Sequence, residues 1–325
     1  KITSQEGETQ SEIQNIENQE EILQQEVELI QEVELSQEVE KIVQEIQIEK
    51  KNNAEEEAKN FHPLVQKQIE QYTSNFAKDW LNTVMTESLK YRAFVQKTLE
   101  ENNMPKNLQY LPVIESSYKI SALSKSGAYG MWQFMKNSIA PFNIRINSWM
   151  DERKDPWLTT KAAIKKLKEN YDYLGSWELA LAAYNCGLGA MTKKNKKAGS
   201  SDFWYLAEKG FLKTETKNYV PKFLAISHIL DNKDFYGLEF PEPNEETDNC
   251  TNFEEISVKR SIDLGILAEK SDIEKELLTF YNPSLYYNVT PPDTTYKLRI
   301  PKEKKEEVQT LLASSNLPLI KYHVY

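Results

Sequence analysis

The chain has 325 residues, 39% of them hydrophobic, which is enough for one large or two modest domains. Its mean hydropathy of −0.65 excludes an integral membrane protein. The net charge of −10 is local: residues 1–60 carry 17 Glu, no Asp and 5 Lys, which leaves +2 for the remainder. A near-neutral remainder without a basic stripe argues against nucleic-acid binding, which needs phosphate neutralisation.

Cysteine and histidine usage gives no sign of metal chemistry. Cys186, Cys250 and three scattered histidines have neither metal-ligand spacing nor the density of a disulfide scaffold. We expect no metal and no cofactor. The first residue is Lys1, and no basic segment followed by an apolar one comes after it, so we expect that any export signal has already been removed.

Residues 1–60 form a low-complexity segment in which Glu and Gln fill 27 positions. The unit Gln-Glu-Val-Glu recurs every six residues, starting at Gln25, Gln31 and Gln37. A period of six matches neither the 3.5 of a coiled coil nor the 2.0 of a strand. The pattern predicts a solvated, partly helical spacer, with a short coiled coil as the alternative.

Aromatic-rich, mixed-charge sequence begins at Phe61 and marks the start of folded structure. The first informative element is residues 105–115 (PKNLQYLPVIE), whose leucines and isoleucine share one helical face. Pro112 inside this segment predicts a kink or an early break. Glu115 then lies in the last turn of a mostly buried helix.

Two further helices follow a glycine-rich segment. Residues 127–134 (GAYGMWQF) indicate either a loop that lines a cleft, with Gln133 offering donors and an acceptor, or an ordinary turn leading into an aromatic core patch. Residues 160–174 are amphipathic, with Thr159 or Thr160 as a cap and Gly175 at the end. The run 177–184 (WELALAAY) is apolar almost all round and predicts a core helix.

The C-terminal part predicts a small second unit. Residues 238–252 are a linker by composition, rich in Pro, Asn and acidic residues. Residues 253–301 indicate a strand, two short helices and a final strand. Residues 302–325 predict a helix and then, at 321–325, the first strand of a possible further repeat.

Glu115 is the candidate ionisable group. Desolvation by its apolar neighbours and the negative end of its helix both raise the pKa of a carboxyl, which suits a general acid. The alternative is a surface glutamate at a helix end. Tyr184 ends the core helix with a hydroxyl that needs a partner, and we expect Glu115 to be that partner.

Five motifs in order, LQYLPVIESSY, SKSGAYGMWQFM, DERKDP, WELALAAYNCGLGAM and ETKNYVPKFLA, resemble the membrane-bound lytic murein transglycosylases of the D type. The resemblance covers about residues 61–236. It implies a mainly α fold with a lysozyme-like catalytic domain at 61–237, and residues 253–301 resemble a divergent, small α/β LysM-like module. Ser138 stands where that family usually has threonine, and Cys186 fills a variable position.

The resemblance implies a set of site residues. Glu115 corresponds to the catalytic acid/base of the family. The residues expected to bind substrate are Ser116, Ser124, Gln133, Tyr184, Asn185 and Tyr219. No second carboxylate near the motifs is convincing, and the DERKDP segment is expected to be a charge-paired structural loop before the helix at 160.

The implied function is cleavage of the MurNAc–GlcNAc β-1,4 bond of peptidoglycan without water, which gives 1,6-anhydro-MurNAc ends. A hydrolytic muramidase of the same fold and a non-catalytic peptidoglycan-binding scaffold are the alternatives. The resemblance also implies a periplasmic or cell-envelope location and a possible membrane anchor upstream of Lys1. Glycan binding and a purely structural role both stay open for the LysM-like module, and the sequence leaves the oligomeric state unknown.

Overall fold

The computed structural model describes residues 39, 41–244 and 251–314. The chain divides into two compact units between Asn60 and Phe61. In the first unit, residues 41–60 form helix α1, and the side chains of Ile42, Val43 and Ile46 are 45–49% exposed. A helical conformation is thus observed for residues 41–60, and the Gln-Glu-Val-Glu units lie outside the described residues apart from Val39.

The second unit begins with a helical domain. Its helices are α2 (Pro63–Tyr72), α3 (Asn75–Glu101), α4 (Leu111–Ser116), α5 (Pro156–Leu174), α6 (Trp177–Cys186), α7 (Leu188–Ala198), α8 (Phe203–Glu208), α9 (Thr214–Asp231) and α10 (Lys233–Tyr236). Short 3₁₀ helices occupy Lys106–Tyr110, Lys136–Ser138, Ala140–Phe142 and Glu152–Lys154. The prediction of a mainly α chain is confirmed. None of the described helices is both long and apolar enough to cross a membrane.

Local sequence explains where α5 begins and ends. Pro156 is its first residue, and the Asp155 carboxylate accepts a hydrogen bond from the Leu158 N–H at 2.9 Å. Gly175 ends it in the left-handed conformation, as predicted. The prediction that Thr159 or Thr160 caps α5 is wrong, because the helix starts earlier and buries both threonines in its first turns.

Helix α6 is the centre of the helical domain. Its residues 179–184 are all buried, and it packs against α5, α7 and α9. Ser176 caps its N-terminus by accepting a hydrogen bond from the Leu179 N–H. The predicted core helix is therefore confirmed, and its C-terminus lies at the cleft described below.

The C-terminal module has the predicted order of elements. Strands β1 (Phe253–Val258) and β2 (Tyr296–Pro301) pair antiparallel, with Phe253 opposite Pro301. Between them lie α11 (Leu264–Lys270) and α12 (Lys275–Tyr281), and after them a 3₁₀ turn (Lys302–Lys304) and α13 (Lys305–Ala313). The strand predicted at 321–325 lies outside the described residues.

The module packs on the helical domain through a buried ion pair. The Arg299 guanidinium on β2 lies 2.6 Å from the Asp155 carboxylate, and both side chains are under 10% exposed. The Trp157 ring makes edge contacts with Phe253 and Phe280 of the module, with ring centroids 5.3 and 5.7 Å apart. The charge-paired loop expected in DERKDP is observed, and it reaches the module as well as its own domain.

The segment predicted to be a linker is partly packed. Leu238 and Phe240 are buried, and the Pro241 carbonyl accepts a hydrogen bond from Arg92. The Glu239 N–H donates to the Asn82 side chain at 2.9 Å. The beginning of this segment therefore belongs to the helical domain, because its apolar side chains complete that core.

The buried ion pair gives a test of how the module is held. Arg299→Met leaves the Asp155 carboxylate buried and uncompensated, so the free energy of unfolding should fall by about 3–5 kcal/mol. Urea unfolding followed by circular dichroism measures this loss. Lys297→Met, on an exposed position of the same strand, is the matched control and should change the free energy by about 0.5 kcal/mol or less. Equal midpoints for the two variants would contradict a stabilising interface.

Candidate active site

A cavity of about 920 Å³ in the helical domain brings together most of the predicted site residues. Glu115 lines it with five of the six residues expected to bind substrate, namely Ser124, Gln133, Tyr184, Asn185 and Tyr219. Three charged residues that the sequence analysis did not anticipate, Lys166, Glu215 and Lys222, also line it. The site is a cleft with one half-buried carboxyl, aromatic hydroxyls and mixed charge.

The backbone around Pro112 places Glu115. The 3₁₀ helix Lys106–Tyr110 precedes α4, and Pro112 lies in the first turn of α4, where its missing N–H costs no helical hydrogen bond. The predicted break therefore falls just before the proline. Ser117 ends α4 in the left-handed conformation, so Glu115 lies in the last turn as predicted.

The hydrogen-bond partner of Glu115 is Tyr219 on α9. The Tyr219 hydroxyl donates to Glu115 Oε1. The prediction that Tyr184 makes this bond is wrong, because the Tyr184 hydroxyl donates to the main-chain carbonyl of Trp132 at 2.9 Å. Both tyrosines line the cleft. The Tyr184 hydroxyl donates to the glycine-rich loop, so the tyrosine that donates to Glu115 is Tyr219 on α9.

Burial dominates the electrostatics of Glu115. It raises the pKa of Glu115 from its ordinary value of 4.5 to about 7, against the lowering effects of the Tyr219 hydrogen bond and of Lys166 and Lys222. Glu215 raises this pKa slightly further. Burial and the neighbouring Glu115 raise the pKa of Tyr219 well above its usual range, so its hydroxyl stays a donor. Glu115 is thus poised to exchange a proton near neutral pH.

The glycine-rich loop forms one wall of the cleft. At Gly130 (φ +86°) a Cβ would lie 1.9 Å from the Arg153 carbonyl oxygen, so only glycine fits there. Gln133 has φ +51° and donates its side-chain amide to the carbonyls of Ala122 and Gly130 at 3.0 and 2.8 Å. These bonds hold a strained residue in place. The side-chain amide of Gln133, which was expected to bind the substrate, therefore donates to the main chain of its own loop.

Two serines also hold the backbone. Ser124 Oγ accepts from the Ala128 N–H at 3.0 Å, which closes the tip of the loop beside the cleft. Ser116 does not line the cavity; its hydroxyl donates to the Met131 carbonyl at 2.8 Å and ties α4 to the loop. In this arrangement the Ser116 hydroxyl bonds the loop and not the cavity.

The opposite wall contains a second carboxylate, which the sequence analysis did not expect. The exposed Glu215 accepts a hydrogen bond from the Asn185 side chain at 3.2 Å, and Asn185 in turn accepts one from the Thr216 hydroxyl at 2.9 Å. Glu215 belongs to the ETKNYVPKFLA motif, of which only Tyr219 was predicted to be a site residue. Within residues 41–244 and 251–314, no three His, Cys, Asp or Glu side chains are grouped as a metal site would require.

Helical spacing could have found Lys166. It lies three residues after Ala163 and four before Asn170, and both of those residues are buried. Residues at these spacings share one face of a helix, so a lysine there faces the domain interior. The apolar face predicted for this helix was defined by its leucine and tyrosine positions, and Lys166 is not one of them.

The raised pKa of Glu115 predicts a pH dependence of stability. A carboxyl whose folded-state pKa is raised contributes stability below its unfolded pKa and loses it as pH rises through the folded pKa. The unfolding free energy of the wild type, relative to Glu115→Gln, should therefore fall by up to about 3 kcal/mol between pH 4.5 and 7 and level off above. Urea unfolding across this range measures the difference, and parallel curves for the two proteins would argue against a raised pKa.

Two family models match the chain. Residues 92–207 match the transglycosylase SLT domain, and residues 252–317 match the LysM-like domain of lytic transglycosylase MltD. The first range contains Glu115, the glycine-rich loop and Asn185, whereas Tyr219 lies beyond it. The second covers the whole strand–helix–helix–strand module.

Curated relatives agree with these matches. The chain is 28% identical over 261 residues to membrane-bound lytic murein transglycosylase D of Escherichia coli strain K12, an alignment that covers 79% of this chain and 56% of the relative. It is 32% identical over 117 residues to a putative tributyltin chloride resistance protein of Alteromonas sp. strain M-1, covering 35% and 55%. The chain thus spans about half the length of these relatives.

Solved structures with partial similarity include the 70 kDa soluble lytic transglycosylase of Escherichia coli, at TM-score 0.38 and 22% identity over 46% of this chain and 25% of that one. An inactive mutant of lytic transglycosylase Slt from Pseudomonas aeruginosa gives TM-score 0.38 and 20% identity over 48% and 26%. From the family models and curated relatives, the resemblance to D-type lytic murein transglycosylases is confirmed: the chain carries a transglycosylase SLT domain followed by an MltD-type LysM-like domain.

Proposed function

We propose that this protein is a lytic transglycosylase that cleaves the MurNAc–GlcNAc β-1,4 bond of peptidoglycan and leaves 1,6-anhydro-MurNAc ends. The observation that carries the proposal is the half-buried Glu115 carboxyl, hydrogen-bonded by Tyr219 within a cleft of an SLT domain. A pKa of about 7 makes this group able both to give and to take a proton near neutral pH.

In the first step Glu115 acts as a general acid. Its proton passes to the glycosidic oxygen as the bond between that oxygen and C1 of MurNAc breaks, and GlcNAc leaves with a free hydroxyl. The positive charge at C1 is spread as an oxocarbenium ion or shared with the acetamido oxygen of MurNAc as an oxazolinium ion. Tyr219 stabilises the carboxylate that Glu115 becomes, because its hydroxyl donates to it.

In the second step Glu115 acts as a general base. The carboxylate removes the proton from the C6 hydroxyl of the same MurNAc, and O6 closes onto C1 to form the 1,6-anhydro ring. No water is consumed, and Glu115 ends protonated as it began. One carboxyl therefore serves both steps, provided that it returns to the same position, which the bond to Tyr219 favours.

The other cleft residues act in this proposal mainly by position. Tyr184 on α6 and Gln133 on the glycine-rich loop both line the cleft, where hydrogen bonds to main-chain carbonyls hold their side chains. Asn185, held by Glu215 and Thr216, is the side chain best placed to meet the sugar or its acetamido group. Ser124 closes the tip of the loop beside the substrate.

Hydrolysis is the second candidate, and Glu215 is the observation that favours it. A second carboxylate in the cleft is what a water-activating glycosidase needs. The masses of the products from purified sacculi decide between them: anhydro ends are lighter than hydrolysed ends by one water, and a non-catalytic scaffold releases neither. We expect anhydro-muropeptides; reducing MurNAc ends would assign the hydrolytic reaction.

The proposed substrate, peptidoglycan, supports a location in the cell envelope, and the periplasm is the location we propose. The name of one relative includes the word membrane-bound, which supports the possible membrane anchor upstream of Lys1. For the domain organisation we propose the predicted boundaries, with a change only at the start of the linker: spacer 1–60, catalytic domain 61–237, linker 238–252, LysM-like module 253–301 and a C-terminal segment 302–325. The packing of residues 238–241 on the helical domain favours moving the linker a few residues later.

The acid is tested by Glu115→Gln, which keeps the shape of the side chain and removes the transferable proton. Release of anhydro-muropeptides should fall by about 10²- to 10⁴-fold, the usual cost of losing a general acid. Glu169→Gln, on an exposed position of α5, is the control and should keep full activity. Wild-type turnover by the Glu115 variant, with an unchanged circular dichroism spectrum, would remove Glu115 from the mechanism.

Tyr219→Phe tests the hydrogen bond separately from the acid. Loss of the donor should raise the pKa of Glu115, since the bond lowers it, and turnover should drop to a value between wild type and Glu115→Gln. Tyr110→Phe is the matched control, because that hydroxyl also donates to a carboxylate, Asp231 at 2.8 Å, but lies outside the cavity lining. The pH profile of anhydro-product release should move to higher pH in the first variant only.

A further inference from the structure

A half-buried cation that lines the same cleft as the candidate acid has no part in the proposed mechanism. Lys166 extends from α5 to the C-terminus of α6, where its Nζ lies 3.2 Å from the Tyr184 carbonyl oxygen and 4.2 Å from the centroid of the Tyr184 ring. The carbonyls of a last helical turn lack helical partners and carry the negative end of the helix dipole. The ammonium is therefore fixed in place.

The same ammonium faces the cleft that contains Glu115. Lys166 and Glu115 both line the cavity, and the Lys166 charge acts on the Glu115 carboxyl. The other titratable or charged groups that face Glu115 come from two neighbouring helices: Tyr184 on α6, and Glu215, Tyr219 and Lys222 on α9. Of the two lysines, Lys166 is the one anchored by a hydrogen bond to the main chain.

We propose that Lys166 is a positioning residue whose fixed positive charge balances the Glu115 carboxylate formed after the first proton transfer, and so sets the pH range of the reaction. The inference rests on the proposed function of Glu115 as acid and then base. A cation beside the carboxylate makes Glu115 a stronger acid for the first step and a weaker base for the second. Burial of Glu115 acts in the opposite direction, so the two effects together keep both steps accessible near neutral pH.

Three variants separate this charge effect from packing. Lys166→Met keeps an unbranched apolar side chain of similar length and removes the ammonium, whose Nζ lies 4.2 Å from the centroid of the Tyr184 ring and 5.8 Å from that of Phe134. Lys166→Arg keeps the charge. Lys165→Met is the matched control, since Lys165 is the preceding residue on the same helix and its side chain is 60% exposed.

The first measurement is the rate of anhydro-product release from pH 4.5 to 9. The alkaline limb, where Glu115 loses its proton, should move to higher pH by about 0.5–1 unit in Lys166→Met, because removal of a nearby opposite charge raises the pKa of a carboxyl. Lys166→Arg and Lys165→Met should keep the wild-type limb. An unmoved limb in Lys166→Met, or an equal shift in Lys165→Met, would overturn the inference.

The second measurement does not need activity. The pH at which the unfolding free energies of wild type and Glu115→Gln cease to diverge reports the ionisation of Glu115 in the folded protein. The matching comparison for Lys166→Met is with the double variant that also carries Glu115→Gln. The pH at which these two free energies cease to diverge should be higher than for the first pair by the same amount as the shift of the alkaline limb. If the wild type releases no anhydro product at any pH, the proposed function fails, while this second measurement still decides whether Lys166 acts on Glu115.

Discussion

The hydrogen bond from Tyr219 to Glu115 is the interaction on which the site depends. It joins the short helix α4, which carries the carboxyl, to the long helix α9. Burial favours the neutral carboxyl and the bond favours the charged one, so their opposition places the proton affinity of Glu115 near neutrality. A group that must give and retake one proton requires that balance together with a fixed position.

The glycine-rich wall is rigid because its polar groups are satisfied within the protein. The Arg153 guanidinium donates to the Gly127 carbonyl at 2.9 Å and to the Phe134 carbonyl at 3.2 Å, while Asp151 neutralises its charge at 2.7 Å. The side chain of Gln133 bonds the same loop from inside. Unpaired buried donors or acceptors would cost about 1–3 kcal/mol each, so this network specifies a single loop conformation.

The sequence predicted the elements that local pattern controls. The core helix α6, the position of Glu115 in a last turn and the order of the LysM-like elements all follow from periodicity, proline and glycine. It did not predict which tyrosine meets Glu115, because that depends on how α6 and α9 pack, and two tyrosines of similar motif context compete for one carboxyl. The wrong cap of α5 has a local cause: Asp155 and Pro156 form a stronger start signal than the threonines that follow.

The DERKDP loop connects the cleft to the C-terminal module. The Asp151 carboxylate pairs with Arg153, which holds the glycine-rich wall. The Asp151 N–H donates to the Ser284 carbonyl of the module at 3.0 Å. Asp155 caps α5, the helix that carries Lys166, and pairs with Arg299 of the module. Asp151 and Asp155 thus each bond both a cleft element and the module: Asp151 through its carboxylate and its main-chain N–H, and Asp155 through the two oxygens of its carboxylate. Removing one partner of a buried ion pair leaves the other charge uncompensated and destabilises the fold. Separating the module from the helical domain would therefore also disturb the DERKDP loop and the start of α5, which hold the cleft.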